Sequence, residues 1–184
     1  MKKILFIILL ILPFIGFGQS WEKTFGGSGD DEGYSVQHTT DGGYIVCGRT
    51  KSFGNGYSDM YLIKTNGYGD SLWTKVIGGV VSERGYSVQQ TNDGGYIVFG
   101  YSNSFGNGLL TDFYLIKVDV NGNQLWDQVF TQSNESSGKS VEQTIDGGYI
   151  LCGSDMSSLE DSTKQHYMYF FDPQYVTQMR IPGF

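Results

Sequence analysis

Proline is nearly absent, with 3 residues in a chain of 184, so a collagen-like or polyproline chain is excluded. Charged residues are 17% of the total, below the usual quarter, and they form no long like-charged blocks. That excludes a coiled coil, an ordinary helical bundle and a charged disordered tail. Basic residues number only 12 against 19 acidic, for a formal net charge of −7, and the basic ones do not cluster. A nucleic-acid ligand is therefore not expected. Two cysteines are too few for a disulfide framework. Beyond the amino-terminal segment, no run is apolar enough to span a membrane.

What is abundant is glycine, at 27 residues, and aromatic side chains, at 15%. This pairing fits short strands joined by tight turns. The length fits about one domain with a real core.

The first residues read as an address. Met1-Lys2-Lys3 is a positive start, Ile4 to Phe17 is mostly apolar, and Gly16-Phe17-Gly18 puts small residues before Gln19. This predicts a signal peptide over residues 1–18, too short for a membrane span, and a domain over 19–184. The protein is expected to be secreted or periplasmic, with no span once processed.

The chain then repeats itself. Trp21, Trp73 and Trp126 are 52 and 53 residues apart, and so are Asp41-Gly42-Gly43-Tyr44-Ile45, Asp93-Gly94-Gly95-Tyr96-Ile97 and Asp146-Gly147-Gly148-Tyr149-Ile150. Gly33-Tyr34-Ser35-Val36-Gln37 recurs at Gly85 to Gln89 and, as Gly-Lys-Ser-Val-Glu, at Gly138 to Glu142. The tryptophans and Gly43, Gly95 and Gly148 are the structural anchors of the repeat. Asp-Gly between apolar runs is a hairpin signal. Each unit reads as four strands, which in the first are Tyr34–Thr39, Tyr44–Arg49, Met60–Thr65 and Leu72–Ile77. The expected fold is all-β. It comprises three four-stranded propeller-like blades, at about residues 33–77, 85–130 and 138–181, plus a leading strand at 21–25. Met179-Arg180-Ile181 takes the outer-strand place in the last unit. Three blades are too few for a closed ring. The chain is thus expected to form an open arc or, as a homodimer, half of a six-bladed ring; a remnant of a longer gene is the other account.

Trp73-Thr74-Lys75, Gly78-Gly79, Gly85-Tyr86-Ser87-Val88-Gln89-Gln90-Thr91 and Asp93-Gly94-Gly95-Tyr96-Ile97-Val98 resemble the propeller-like repeats of bacterial secreted and cell-surface proteins. Many of those carry a type IX sorting domain. The stretch from Tyr114 to Trp126 is also similar to a quinoprotein-type blade. The resemblance spans about Trp21 to Ile181. It implies a repeat architecture and no particular activity, though some such proteins sit beside glycoside hydrolase domains. No sorting domain follows Ile181-Pro182-Gly183-Phe184, so cell-surface anchoring is not expected.

Candidate chemistry is sparse. No zinc-ligand spacing and no Gly-x-Ser-x-Gly elbow occurs, and the only histidines are His38 and His166. Asp30, Asp31 and Glu32 form the densest acidic cluster and are the best calcium candidate; otherwise no cofactor is expected. Their counterparts, Val81-Ser82-Glu83-Arg84 and Asn134-Glu135-Ser136-Ser137, do not repeat the cluster, which favours a solvated turn. Asp59 and Asp112 precede the third strands and would suit glycoside hydrolysis only if they converged. Phe53, Asn55, Phe105 and Asn107 sit in a loop that recurs as Ser-Phe-Gly-Asn-Gly. They could stack on a sugar, or the phenylalanines could plug the blade ends. Cys47 and Cys152 occupy equivalent mid-strand positions, too far apart for a bridge, and read as two buried thiols. The leading reading is a secreted, non-catalytic binding or scaffold module for a glycan or protein. The alternatives are an accessory or degenerate part of a polysaccharide-acting enzyme, or a truncated gene product. Mass spectrometry of the exported chain is expected to place its amino terminus at Gln19; a terminus at Met1 would refute the signal peptide.

Overall fold

A computed structural model describes residues 20–106, 110–131, 135–156 and 164–171. The leader and Met179–Ile181 lie outside them. The described residues are all β and contain no helix, and so none long and apolar enough to cross a membrane. The first sheet holds β1 (Asp31–His38), β2 (Tyr44–Thr50), β3 (Asp59–Thr65) and β4 (Ser71–Ile77), antiparallel and in that order. The second repeats this with β5 (Glu83–Gln90), β6 (Tyr96–Ser102), β7 (Asp112–Val118) and β8 (Gln124–Phe130). The third has β9 (Ser136–Gln143), β10 (Tyr149–Met156) and β11 (Lys164–Phe171). Each sheet is open.

The burial pattern follows the sequence. β3 and β7 are buried at every position, each an apolar centre flanked by a buried aspartate and lysine, whereas β4 and β8 mostly alternate between exposed and half-buried, as sheet-edge strands do. β5 lies against β1, β2 and β3, and β9 against β5, β6 and β7. Each sheet therefore has a face toward the sheet before it and a face toward the sheet after it. Ile45, Cys47, Met60 and Leu62 of the first sheet pack on Val88, Tyr96, Val98, Tyr114 and Ile116 of the second. Ile97, Phe99, Phe113 and Leu115 of the second pack on Val141, Tyr149, Leu151 and Phe171 of the third.

Polar bonds zip the same junctions. The Gln37 side chain accepts from the Gln90 N–H at 2.6 Å, and Gln89 accepts from the Gln143 N–H at 2.6 Å. In return, Gln90 accepts from the Thr40 N–H and Gln143 from the Asn92 N–H. The backbone contributes too: the Ser58 and Thr111 carbonyls accept from the Glu83 and Ser136 N–H groups at 2.9 and 2.7 Å. Trp73 sets its ring edge-to-face on Tyr96 at 5.8 Å, and its indole N–H donates to the Val120 carbonyl. Trp126 meets Tyr149 in the same way at 5.9 Å.

Two expectations need correcting. Residues 21–25 do not form a strand, because no sheet edge runs beside them; β4 holds the outer edge of the first sheet. Trp21 instead meets Tyr44 edge-to-face at 5.9 Å, and Lys23 pairs with Asp70 at 2.8 Å. These contacts copy Trp73 on Tyr96 and Lys75 on Asn123. The segment thus occupies the place of an outer strand from a preceding sheet. The second correction is Cys152. Cys47 is buried, but Cys152 is exposed, because no described sheet covers its face; both thiols are free.

The Asp-Gly-Gly turns use their two glycines for different reasons. Gly42, Gly94 and Gly147 take φ of 82°, 82° and 88°, where other residues are strained. Gly43 and Gly95 keep ordinary φ, but a Cβ there would collide with the Thr65 or Val118 carbonyl oxygen. Asp93 accepts from the Thr91 hydroxyl, the Gly95 N–H and the ammonium of Lys117, which is buried. Asp41 repeats this with Thr39, Gly43 and Lys64. Lys117 is 4% exposed while Asp93 is 60% exposed, so the pair is asymmetric. Asp93→Ala leaves a buried ammonium with only the Val118 carbonyl at 3.2 Å and is expected to cost about 2 kcal/mol. Lys117→Met leaves a carboxylate that water can reach and is expected to cost about 1 kcal/mol. Urea unfolding of the two variants checks the order.

Candidate functional site

The first strand of every sheet carries a bulge at the same repeat position. Pairing skips from Gly33 to Ser35, from Gly85 to Ser87 and from Gly138 to Ser140. The skipped residues are Tyr34, Tyr86 and Lys139. A bulge re-aims the side chain it carries. Here the three side chains line up in a row across the sheets. The Tyr34 and Tyr86 rings lie 4.9 Å apart, tilted by 40°, and the Lys139 Nζ stands 4.3 Å over the Tyr86 ring.

Cations gather along this row. Arg84 lies 5.6 Å over the Tyr101 ring, and Tyr86 and Tyr101 are 6.0 Å apart. Burial works against the charge of Arg84, but its bond with Tyr86 leaves its pKa raised. Arg49 is held by Glu32, which also accepts from the Tyr34 hydroxyl. Those two bonds, Arg49 first, hold the Glu32 carboxyl down at about 2. Burial, and then the bond to Glu32, pushes the Tyr34 phenol up, so it stays protonated and able to donate. The buried Nε of Arg49 and of Arg84 have no hydrogen-bond partner. Among the described residues, no carboxylate forms an ion pair with Arg84 or Lys139. Beside Lys139 an open groove of about 350 Å³ is lined by Tyr101, Glu135, Ser137 and Ser154. In a chain of net charge −7, three cations, Arg49, Arg84 and Lys139, gather here among aromatic rings with two carboxylates, Glu32 and Glu135.

The residues singled out from sequence fall elsewhere or apart. Asp30 pairs with Lys51 at 2.9 Å. Asp31 turns inward and accepts from Ser52 at 2.6 Å, from Thr50 and from the Gly27 N–H; against some burial, these bonds hold it at about 2. Glu32 joins the tyrosine row. The three neighbouring carboxylates thus serve three different partners, and no group of three metal-ligating side chains occurs among the described residues. Phe53 is 44% exposed and rests on Tyr61 at 5.8 Å; Phe105 is half-buried, on Tyr114 at 5.2 Å, and packs into the core. Asn55 is exposed, and Asn107 lies outside the described residues. Asp59 and Asp112 are buried at the starts of β3 and β7.

Two things were missed. Glu83 repeats the role of Asp31: it accepts from the Gly79 N–H at 2.8 Å and from Ser102 at 2.7 Å. It also faces Asp59, since a Cβ on Gly78 would strike both carboxylates. Burial, and to a smaller extent the charge of Glu83, pushes the Asp59 pKa up. The bulge row was missed as well, although Gly-Tyr-Ser and Gly-Lys-Ser stood in register as its signal.

No protein-family model matches the chain, and no curated protein matches its sequence.

Asp31 and Glu32 have folded-state values near 2, below the ordinary carboxylate range. Each stabilises the fold above about pH 4, and that stabilisation is lost as the pH falls from about 4 toward about 2. Asp59 is shifted the other way and does not contribute to this loss. The melting temperature is expected to hold from pH 7 to 5 and to drop across that acid window, with a shallower drop in Asp31→Asn.

Proposed function

We propose that this chain is a secreted, non-catalytic, propeller-like binding module, and that the tyrosine row binds an acidic glycan. The observation that carries this reading is the bulge found in every sheet, which lines up Tyr34, Tyr86 and Lys139 beside Arg84. Aromatic faces can stack on sugar rings, and a guanidinium can grip a carboxylate with two parallel bonds. The other polar side chains of the repeat spend their bonds inside the fold: Asp41 and Asp93 on turns, Gln37 and Gln89 on the junctions, Asp31 and Glu83 on loops.

Titration calorimetry with a uronic-acid oligosaccharide and a neutral oligosaccharide of equal length tests the proposal. The acidic probe is expected to bind, more weakly as salt rises. Arg84→Ala and Tyr86→Ala should each lose tenfold or more, about 1.4 kcal/mol. Equal binding of the two probes, or of neither, overturns it.

A further inference from the structure

Among the described residues two sheet faces lie open, and they are the two halves of one junction. Val88 and Val141 are each 5% exposed, but their counterpart Val36 is 65% exposed. Tyr96 and Tyr149 are buried, but Tyr44 is only half-buried. These two positions lie on the face toward a preceding sheet, and in the first sheet that face is open. At the other end, Cys47 and Phe99 are wholly buried, but their counterpart Cys152 is exposed. Ile45 and Ile97 are wholly buried, but Ile150 is half-buried. These positions make the face toward a following sheet, and in the third sheet that face is open.

The first-sheet face also has an unfilled hollow. A cavity of about 140 Å³ beside Gly33 is lined by Phe25, Val46, Tyr61 and Ile63. At the two internal junctions the space beside the matching glycine is taken by the neighbouring sheet: Met60 stands against Gly85, and Phe99 against Gly138. The polar zip is incomplete in the same places. Ser35 and Gln37 accept from the Val88 and Gln90 N–H groups, and Ser87 and Gln89 from Val141 and Gln143. By the same register, Ser140 and Glu142 of the third sheet would accept from the Val36 and His38 N–H groups of a first sheet. Trp21 and Lys23 already sit on the first sheet as an outer strand of a preceding sheet does.

We infer that a second copy of this chain docks head to tail, its third-sheet face over Ile150 and Cys152 seating on the first-sheet face over Val36, Tyr44 and Val46. The contact repeats the junction that the chain uses twice internally, which is why the occupant is the chain itself. Cys152 then stands against the partner's Gly33 carbonyl as Cys47 stands against the Gly85 carbonyl, at 3.3 Å. The row of Tyr34, Tyr86 and Lys139 continues across the contact into the partner's Tyr34. Such a contact is heterologous. It closes if two copies satisfy both seams and otherwise runs on as a chain of copies.

The test joins light scattering with thiol labelling on the purified full chain. The expected result is a dimer or larger assembly in which Cys152 labels at least tenfold more slowly than in the urea-unfolded chain. Cys47, which is buried in either state, serves as the internal control. Val36→Glu, at a position exposed in the single chain, should yield a monomer with Cys152 reactive. Val120→Glu, on a turn away from both faces, should leave the assembly intact. The substitution also separates this contact from association through the apolar leader, which it does not touch. A monomeric wild type with reactive Cys152 overturns the inference, and so does an assembly that Val36→Glu leaves unchanged.

Discussion

Each sheet of this protein depends on having a neighbour. β3 and β7 are apolar on both sides, so neither sheet can stand alone in water. The junction between sheets answers this with one recurring contact: the Ile45 and Cys47 face on the Val88 and Tyr96 face, then the Ile97 and Phe99 face on the Val141 and Tyr149 face. Burying a side chain of this size stabilises by roughly 1.5–3 kcal/mol, so the junctions outweigh any single polar bond in the fold. The tryptophans extend the contact outward by bridging each outer strand to the sheet that follows.

Polar groups decide which face meets which. An apolar face alone tolerates sliding, whereas Gln37 on the Gln90 N–H and Gln89 on the Gln143 N–H accept only one register. The buried ammoniums of Lys64 and Lys117 play a related part within the sheet. Each ties the third strand to the Asp-Gly-Gly turn of the hairpin beside it. The third repeat has Phe170 where lysine stood, and Asp146 bonds Thr144 and Gly148, with Thr144 the main reason its pKa is lowered. The tyrosine row lies on top of this frame. The bulges that aim it cost the sheets a regular pairing in three places.

The strands were legible because their signals are local. Met60–Thr65 was expected and Asp59–Thr65 is found; Leu72–Ile77 was expected and Ser71–Ile77 is found. The leading segment was misread because a strand is defined by its partner. Trp21 carries the repeat's signature but has no sheet edge to join. Cys152 was misread for a similar reason: burial belongs to what covers a residue, and its own sequence is as apolar as that around Cys47. The candidate site was the least legible part. Gly-Tyr-Ser looks like any strand start until the pairing is seen to skip Tyr34 and Tyr86.

The repeat, its period, the hairpin turns and the all-β class can be read from the chain alone, because each rests on residues close together in it. Folding is what sets which carboxylates face which partners, brings Glu83 and Asp59 together around Gly78, and puts Tyr34, Tyr86, Lys139 and Arg84 on one surface. It also decided that Val36 and Cys152 lie open while their counterparts are buried. Those are facts about contacts between residues some 20 to 50 positions apart or at the two ends of the stack, and no local pattern records them.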